Sequence, residues 1–196
     1  LQVRPSPRDD EDEIEELRLY RDEGYGMNEP CNGQLSELVM HMKNLEIFFS
    51  LYIPSLTDIQ KAVLKKCLVE LYQKFHITWD TDVTKLKAQD FPIFSDLYAL
   101  VQEKTKTEKE NQVYTDLAML LYDIAEGADS FIWNGHTTVS GNSRFTVMDT
   151  HALQETGDNI KRPQYFNILT YDWEQMSHDR EERVLLICDE AYLMID

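Results

Sequence analysis

Two adjacent carboxylates, Asp189 and Glu190, follow an uninterrupted apolar run from Val184 to Cys188. A strand buried on both faces of a parallel sheet reads as continuous hydrophobics rather than as alternation. Ligands in such sheets sit just beyond the carboxyl ends of the strands, so an Asp-Glu pair there faces whatever occupies the crevice. Acids so placed suit phosphate chemistry. The Asp would join the water shell of a Mg²⁺ ion on nucleotide phosphates, and the Glu would orient or deprotonate an attacking water. This is the pattern of a Walker B element. The same residues also fit a simpler arrangement, a core strand leaving the protein at a polar turn.

A nucleotide site also needs a phosphate cradle, in which a G-x-x-x-x-G-K-[ST] loop gathers backbone N–H groups and a Lys around the phosphates. The glycines stand at 24, 26, 33, 127, 135, 141 and 157, and none precedes a Lys. There is no Walker A in these residues, and cofactor-binding residues stay unassigned. The chain begins at Leu1 without an initiator Met and stops six residues past Glu190. The expectation is a piece of a longer protein that does not hydrolyse ATP by itself.

Composition sets further bounds. The 196 residues give room for one large domain or two small ones, and 42% apolar with 11% aromatic residues is enough for a packed core. No apolar run approaches a membrane span and no signal peptide is visible. Cys31, Cys67 and Cys188 are odd in number, widely spaced and contain no C-x-x-C, which fits free thiols in a reducing cytosol. His41, His76, His136, His151 and His178 form no H-E-x-x-H or similar ligand pair. With 36 acids against 19 bases the net charge is −17, and such a surface repels a phosphate backbone. Direct nucleic-acid binding is disfavoured. The acid run Asp9–Glu13, continued by Glu15 and Glu16, reads as a solvated linker or helix start, or as a docking strip for a basic partner.

The elements that must position these acids follow from periodicity. Residues 1–33 form a lead-in linker broken by Pro5, Pro7, Gly24, Gly26, Pro30 and Gly33. Leu35, Leu38, Met42, Leu45, Phe49 and Tyr52 make one helical stripe, ended by Pro54. Thr57-x-x-Gln60 resembles a capping box and opens a second helix carrying Ile59, Val63, Leu64, Cys67, Leu68, Leu71, Tyr72 and Phe75. After a polar stretch from Thr78 to Asp90, a third helix is expected from about Ile93 to Glu103. A fourth is expected over Gln112–Glu126, with Gly127 at a left-handed helix stop. Four matched apolar faces with short links predict an all-α bundle over residues 34–127.

Residues 128–196 change character. Phe131–Trp133 and Thr137–Val139 are strand-like pieces broken by the turn signal Asn134-Gly135. Arg144–Asp149 reads as a short buried strand, Lys161–His178 as an amphipathic helix with Tyr165, Phe166, Leu169, Trp173 and Met176 on one side, and Val184–Cys188 as the terminal strand. Strand, helix and strand make the βαβ unit of a parallel sheet, which puts Asp189 and Glu190 at the carboxyl end of its second strand.

From Phe131 onward, F-I-W-N-G-H-T-T-V, R-F-T-V-M-D, K-R-P-Q-Y-F-N-I-L and D-R-E-E-R-V-L-L-I-C-D-E-A-Y-L-M-I-D resemble the VirB-four class of conjugative transfer and type IV secretion ATPases. The opening L-Q-V-R-P resembles the stretch that follows that family's Walker A subdomain. The likeness is specific over the last 65 or so residues and rests on position and helix content before them. It implies a mainly α fold with an α/β part: an all-α helical bundle insertion, then part of a RecA-like P-loop parallel sheet ending in Walker B. It implies Asp189 as the metal residue, holding Mg²⁺ through water, and Glu190 as the catalytic acid that activates water. ATP and Mg²⁺ would be cofactors of the full-length protein, with none bound to this piece. Other secretion or conjugation components and further copies of the chain would be its partners. The implied location is cytoplasmic, with the full-length protein peripheral at the inner face of the cell membrane.

Two other classes stay open: a helical interaction module of the secretion machinery, and a piece of another RecA-like DNA translocase of the FtsK or HerA type. Lys161 and Arg162, cations at a helix start, are electrostatically misplaced and fit either a subunit or nucleotide edge or plain solvent exposure. Asn134, Gly135 and Thr137 match a loop of the resembled family and carry no assigned role.

Overall fold

The computed structural model describes residues 37–108, 111–136, 145–178 and 183–189. The lead-in linker, Thr137–Val139 and Glu190 lie outside them. Six α-helices are present among the described residues: α1 (Glu37–Tyr52), α2 (Asp58–Lys74), α3 (Phe94–Thr107), α4 (Gln112–Ala125), the single turn α5 (Ser130–Trp133) and α6 (Asp158–His178). Short 3₁₀ turns occupy Val83–Lys85, Ala88–Asp90 and His151–Glu155. The mainly helical expectation holds.

The helix ends follow local chemistry. At α2 both halves of the capping box form, with Gln60 N donating to Thr57 Oγ1 (3.3 Å) and Thr57 N donating to Gln60 Oε1 (2.9 Å). Its other end closes with His76 N donating to Gln73 O (3.0 Å) and Ile77 N to Tyr72 O (2.9 Å). Those two bonds make a Schellman motif, which places His76 at φ 61° and seats buried Ile77 under the helix. Asp96 Oδ2 accepts from Ile93 N (2.8 Å) at the start of α3, and Asn111 Oδ1 from Val113 N (3.2 Å) at the start of α4.

The α3–α4 hairpin packs along its length and rests on α2, while α1 packs on α2 and α6. Leu38, Phe49, Leu64, Leu68, Leu97, Val101, Leu117 and Leu121 meet in one core. Val101 and Leu117 have no exposed surface, and each such side chain contributes about 1.5–3 kcal/mol by leaving water. Phe48 packs against Phe94 (centroids 5.5 Å apart) and edge-on against Trp133 (5.2 Å). Ile160 joins the same core, with Leu153 and Phe166 packed on it, so the apolar interior runs beyond Gly127.

Three strand expectations meet a different structure. Phe131–Trp133 belongs to a helical turn, because Ile132 N and Asn134 N find carbonyls at Asp129 (3.0 Å) and Ser130 (2.9 Å). Local bonds of this kind leave no need for a partner strand, and Trp133 is drawn into the aromatic core. Residues 145–149 have no regular structure, and Phe145 and Val147 are exposed. Val184–Cys188 is exposed throughout and lies in no ladder. No strand is present among the described residues, since an apolar run becomes a buried strand only where neighbouring strands satisfy its backbone.

Gly127 does end α4, but for a different reason from the one expected. Its backbone is not left-handed; a Cβ there would collide with Asp123, lying 2.8 Å from that residue's Cα. Helix α6 starts three residues before Lys161. Its stripe is divided, with Tyr165 buried and Leu169 and Trp173 exposed.

Candidate functional site

Asp189 sits in a turn directly after the irregular run from Arg183 and is exposed. Its predicted partner Glu190 lies outside the described residues. No group of three His, Cys, Asp or Glu side chains that would hold a metal occurs among the described residues. A single exposed carboxylate still matches what Mg²⁺ asks of a protein, since that ion keeps several waters and takes its other oxygens from substrate phosphates. An exposed carboxylate such as Asp189 is compatible with holding the water shell of such an ion. The neighbouring Cys188 thiol is exposed. Cys67 is a core thiol, and burial pushes it up to about 11, which leaves it protonated and unreactive.

The segment Asp129–Asn134 is where the structure brings chemistry-bearing side chains together. Asn134 Oδ1 accepts from Ser95 N (3.0 Å), while its Nδ2 donates to Ala125 O (2.9 Å) and to Ser95 Oγ (2.5 Å). One amide thus binds the first turn of α3 to the last residue of α4. Trp133 Nε1 donates to Gln164 Oε1 on α6 (2.6 Å), and Tyr52 Oη on α1 donates to Asp129 Oδ2 (2.8 Å). Burial, with the Asp129 carboxylate beside it, drives the Tyr52 hydroxyl well above its usual range. Asn134 reads in sequence only as half of a turn signal. Its two donors and one acceptor are the feature that suits it to clamping two helix ends.

The remaining flagged positions resolve simply. Gly135 has open space around a Cβ, and Thr137 lies outside the described residues. Lys161 Nζ and Arg162 Nη2 lie 3.9 and 3.8 Å from Asp158 carboxylate oxygens. Asp158 in the first turn offsets the two cations at the positive end of the helix dipole. Exposed pairs of this sort contribute little to stability.

A shallow cleft between α1 and α2 is lined by Met42, Glu46, Leu68 and Trp79, among others. Glu46 bridges Lys65 (2.8 Å) and Lys43 (3.3 Å) there, so both cations are committed to a carboxylate rather than presented to phosphate. Deeper between the helices, His41 Nε2 and Tyr72 Oη share a hydrogen bond of 2.6 Å. No helix among the described residues is long and apolar enough to cross a membrane.

No family model and no curated protein sequence matches the chain. Among solved structures it is similar to VirB4 of Thermoanaerobacter pseudethanolicus, with 41% identity and a TM-score of 0.76. The match covers 86% of this chain and 62% of that one, so the chain spans under two thirds of its relative's length. Sequence identity and shared fold over most of its residues support a relationship of this chain to the VirB4 family.

Proposed function

We propose that the protein serves as the ATPase of a type IV secretion or conjugation apparatus, with these residues supplying a helical bundle and the acidic end of the nucleotide site. The observation that carries this reading is the 41% identity to VirB4 over 86% of the chain. The residues Val184–Glu190 support it, since an apolar run ending in Asp-Glu is the sequence a Walker B strand requires. Asp189 is the acid that meets Mg²⁺ through water, and Glu190 orients and deprotonates the attacking water. The cation, when bound, neutralises charge developing on the phosphate oxygens. No Walker A occurs in the 196 residues, and the phosphate cradle belongs to residues outside them. The RecA-like sheet around Val184–Cys188 is then built with strands contributed from elsewhere in the protein.

Other components of the apparatus and further copies of the chain are the partners of this reading. The site acts cytoplasmically, with the protein held peripherally at the inner face of the cell membrane. The test is the Mg²⁺ dependence of nucleotide affinity in the full-length protein. Asp189→Asn is expected to weaken Mg²⁺-dependent ATP binding by about tenfold or more, the carboxylate that holds the ion's water shell being lost, while metal-free nucleotide binding stays close to wild type. Unchanged Mg²⁺ dependence would remove Asp189 from the metal shell.

A further inference from the structure

Between Gln112 and His136 the chain carries the acids Asp116, Asp123, Glu126 and Asp129 and no Lys or Arg. The same stretch leaves large apolar side chains in water: Met119 and Tyr122 on α4, Phe131 and Ile132 on α5. Phe131 is 95% exposed and Met119 72%. Neither serves the interior, because Leu117, Leu121 and Ile124 form the buried side of α4. Asp116, Met119, Asp123 and Glu126 recur at helical spacing, which sets them in one stripe with Tyr122 beside it. Tyr98 of α3 braces Tyr122 edge-on (6.2 Å between centroids), and α5 packs on α4. Single exposed apolar residues are ordinary, but Met and aromatic side chains grouped on a rigid face mark an interaction surface.

The charges of this face differ from those on the rest of the bundle. Glu46, Glu70 and Glu103 each meet a lysine, at 2.8, 2.8 and 3.1 Å. No ion pair among the described residues reaches Asp116, Asp123, Glu126 or Asp129. The bonds those acids make come from neutral donors: Gln112 Nε2 to Asp116, Ala128 N to Asp123 and Tyr52 Oη to Asp129. A second copy docked by the same face would set acid against acid, and the net charge of −17 opposes it further. The sign also excludes a phosphate backbone. A helix whose apolar stripe is flanked by Lys or Arg satisfies both features of the surface.

We propose that the α4–α5 face is a docking surface for a basic amphipathic helix of another protein. Its apolar stripe packs on Met119, Tyr122 and Phe131, and its cations meet Asp116, Asp123 and Glu126. Charge complementarity selects this occupant, while the apolar contacts hold it. The inference is independent of the assignment of Asp189 and Glu190.

Anisotropy of two fluorescein-labelled helical peptides tests this on the full-length protein. One peptide carries Leu on one face and Lys on the other, and the second has Glu in place of every Lys. The Lys peptide is expected to bind at least about tenfold more tightly than the Glu peptide, and to weaken as salt is added. Met119→Ser combined with Phe131→Ser is expected to lose about tenfold of that affinity. Glu126→Lys, a cation at a helix end that favours one, is expected to lose about threefold. Ile59→Ser, at an exposed apolar position on α2, is expected to change nothing. No binding of the Lys peptide, or equal binding of the two peptides, would overturn the proposal. Undiminished binding by the Met119 and Phe131 double variant would overturn it as well, since the contact would then lie elsewhere. Alkylation of Met119→Cys, followed on its own peptide by mass spectrometry, is expected to be fast. Protection at every protein concentration would mean that the protein covers this face itself, and protection only at high concentration that a second copy does. Either result would overturn the docking of a basic helix. Melting midpoints equal to wild type separate lost affinity from lost folding, and all the substituted side chains are exposed.

Discussion

His41 Nε2 lies 2.6 Å from Tyr72 Oη, and the imidazole is flanked by the rings of Tyr72 and Phe91. This pair joins α1 to α2 through a group that titrates near neutrality. Burial holds the His41 pKa below its ordinary 6.5, so the folded protein resists protonation at this ring. The unfolded chain binds that proton first as pH falls. Stability is therefore whole above about pH 6.5, declines below it, and levels off once pH passes the lowered folded value. His41→Gln is expected to flatten this decline in urea melts taken across that window. An unaltered slope would show that another group carries it.

Gly127 and Gly135 offer a paired test. A methyl group at Gly127 meets Asp123, with its Cα at 2.8 Å, whereas one at Gly135 meets nothing within 4 Å. Gly127→Ala is expected to destabilise by about 1–3 kcal/mol through overpacking, and Gly135→Ala to stay within about 0.5 kcal/mol of wild type. Chemical denaturation of the two variants checks the contrast.

Asn134→Ala would strand the partly enclosed Ser95 N–H, while Ala125 C=O loses one of its two donors and keeps the Ser95 hydroxyl (3.2 Å). Each group left unsatisfied costs about 1–3 kcal/mol. A thermal shift to lower temperature is expected, along with faster hydrogen exchange at the start of α3. Asn134→Asp keeps the acceptor for Ser95 N and loses the donors, so it should fall between alanine and wild type.

His76 adopts a positive φ of 61° at a position where glycine has no steric penalty. His76→Gly is expected to leave stability unchanged or raise it by up to about 1 kcal/mol, the relief of strain set against added unfolded-state freedom. His76→Val should destabilise. Melting midpoints of the two variants distinguish the outcomes.

The helical half of the protein was legible because its signals are local. The capping box at Thr57 and Gln60, the stripe through Leu97 and Val101 and the stop at Gly127 each depend on residues within a turn or two. Strands were not legible in the same way. Phe131–Trp133 has the composition of a strand, yet local carbonyls and the pull of Phe48 and Tyr52 on Trp133 wind it into a helical turn. Phe145 and Val147 have strand-like composition, and so do Leu185 and Ile187. Pairing is a property of neighbours, which composition alone does not supply. The role of Asn134 escaped the sequence for a related reason: its partners at Ser95 and Ala125 come together only when α3 and α4 are packed.

ATP turnover by the full-length protein carrying Glu190→Gln tests the functional assignment most directly. Loss of the water-activating carboxylate is expected to reduce turnover by about a hundredfold or more, with ATP affinity close to wild type. Turnover at the wild-type rate would contradict the assignment of Glu190 and the Walker B reading built on it.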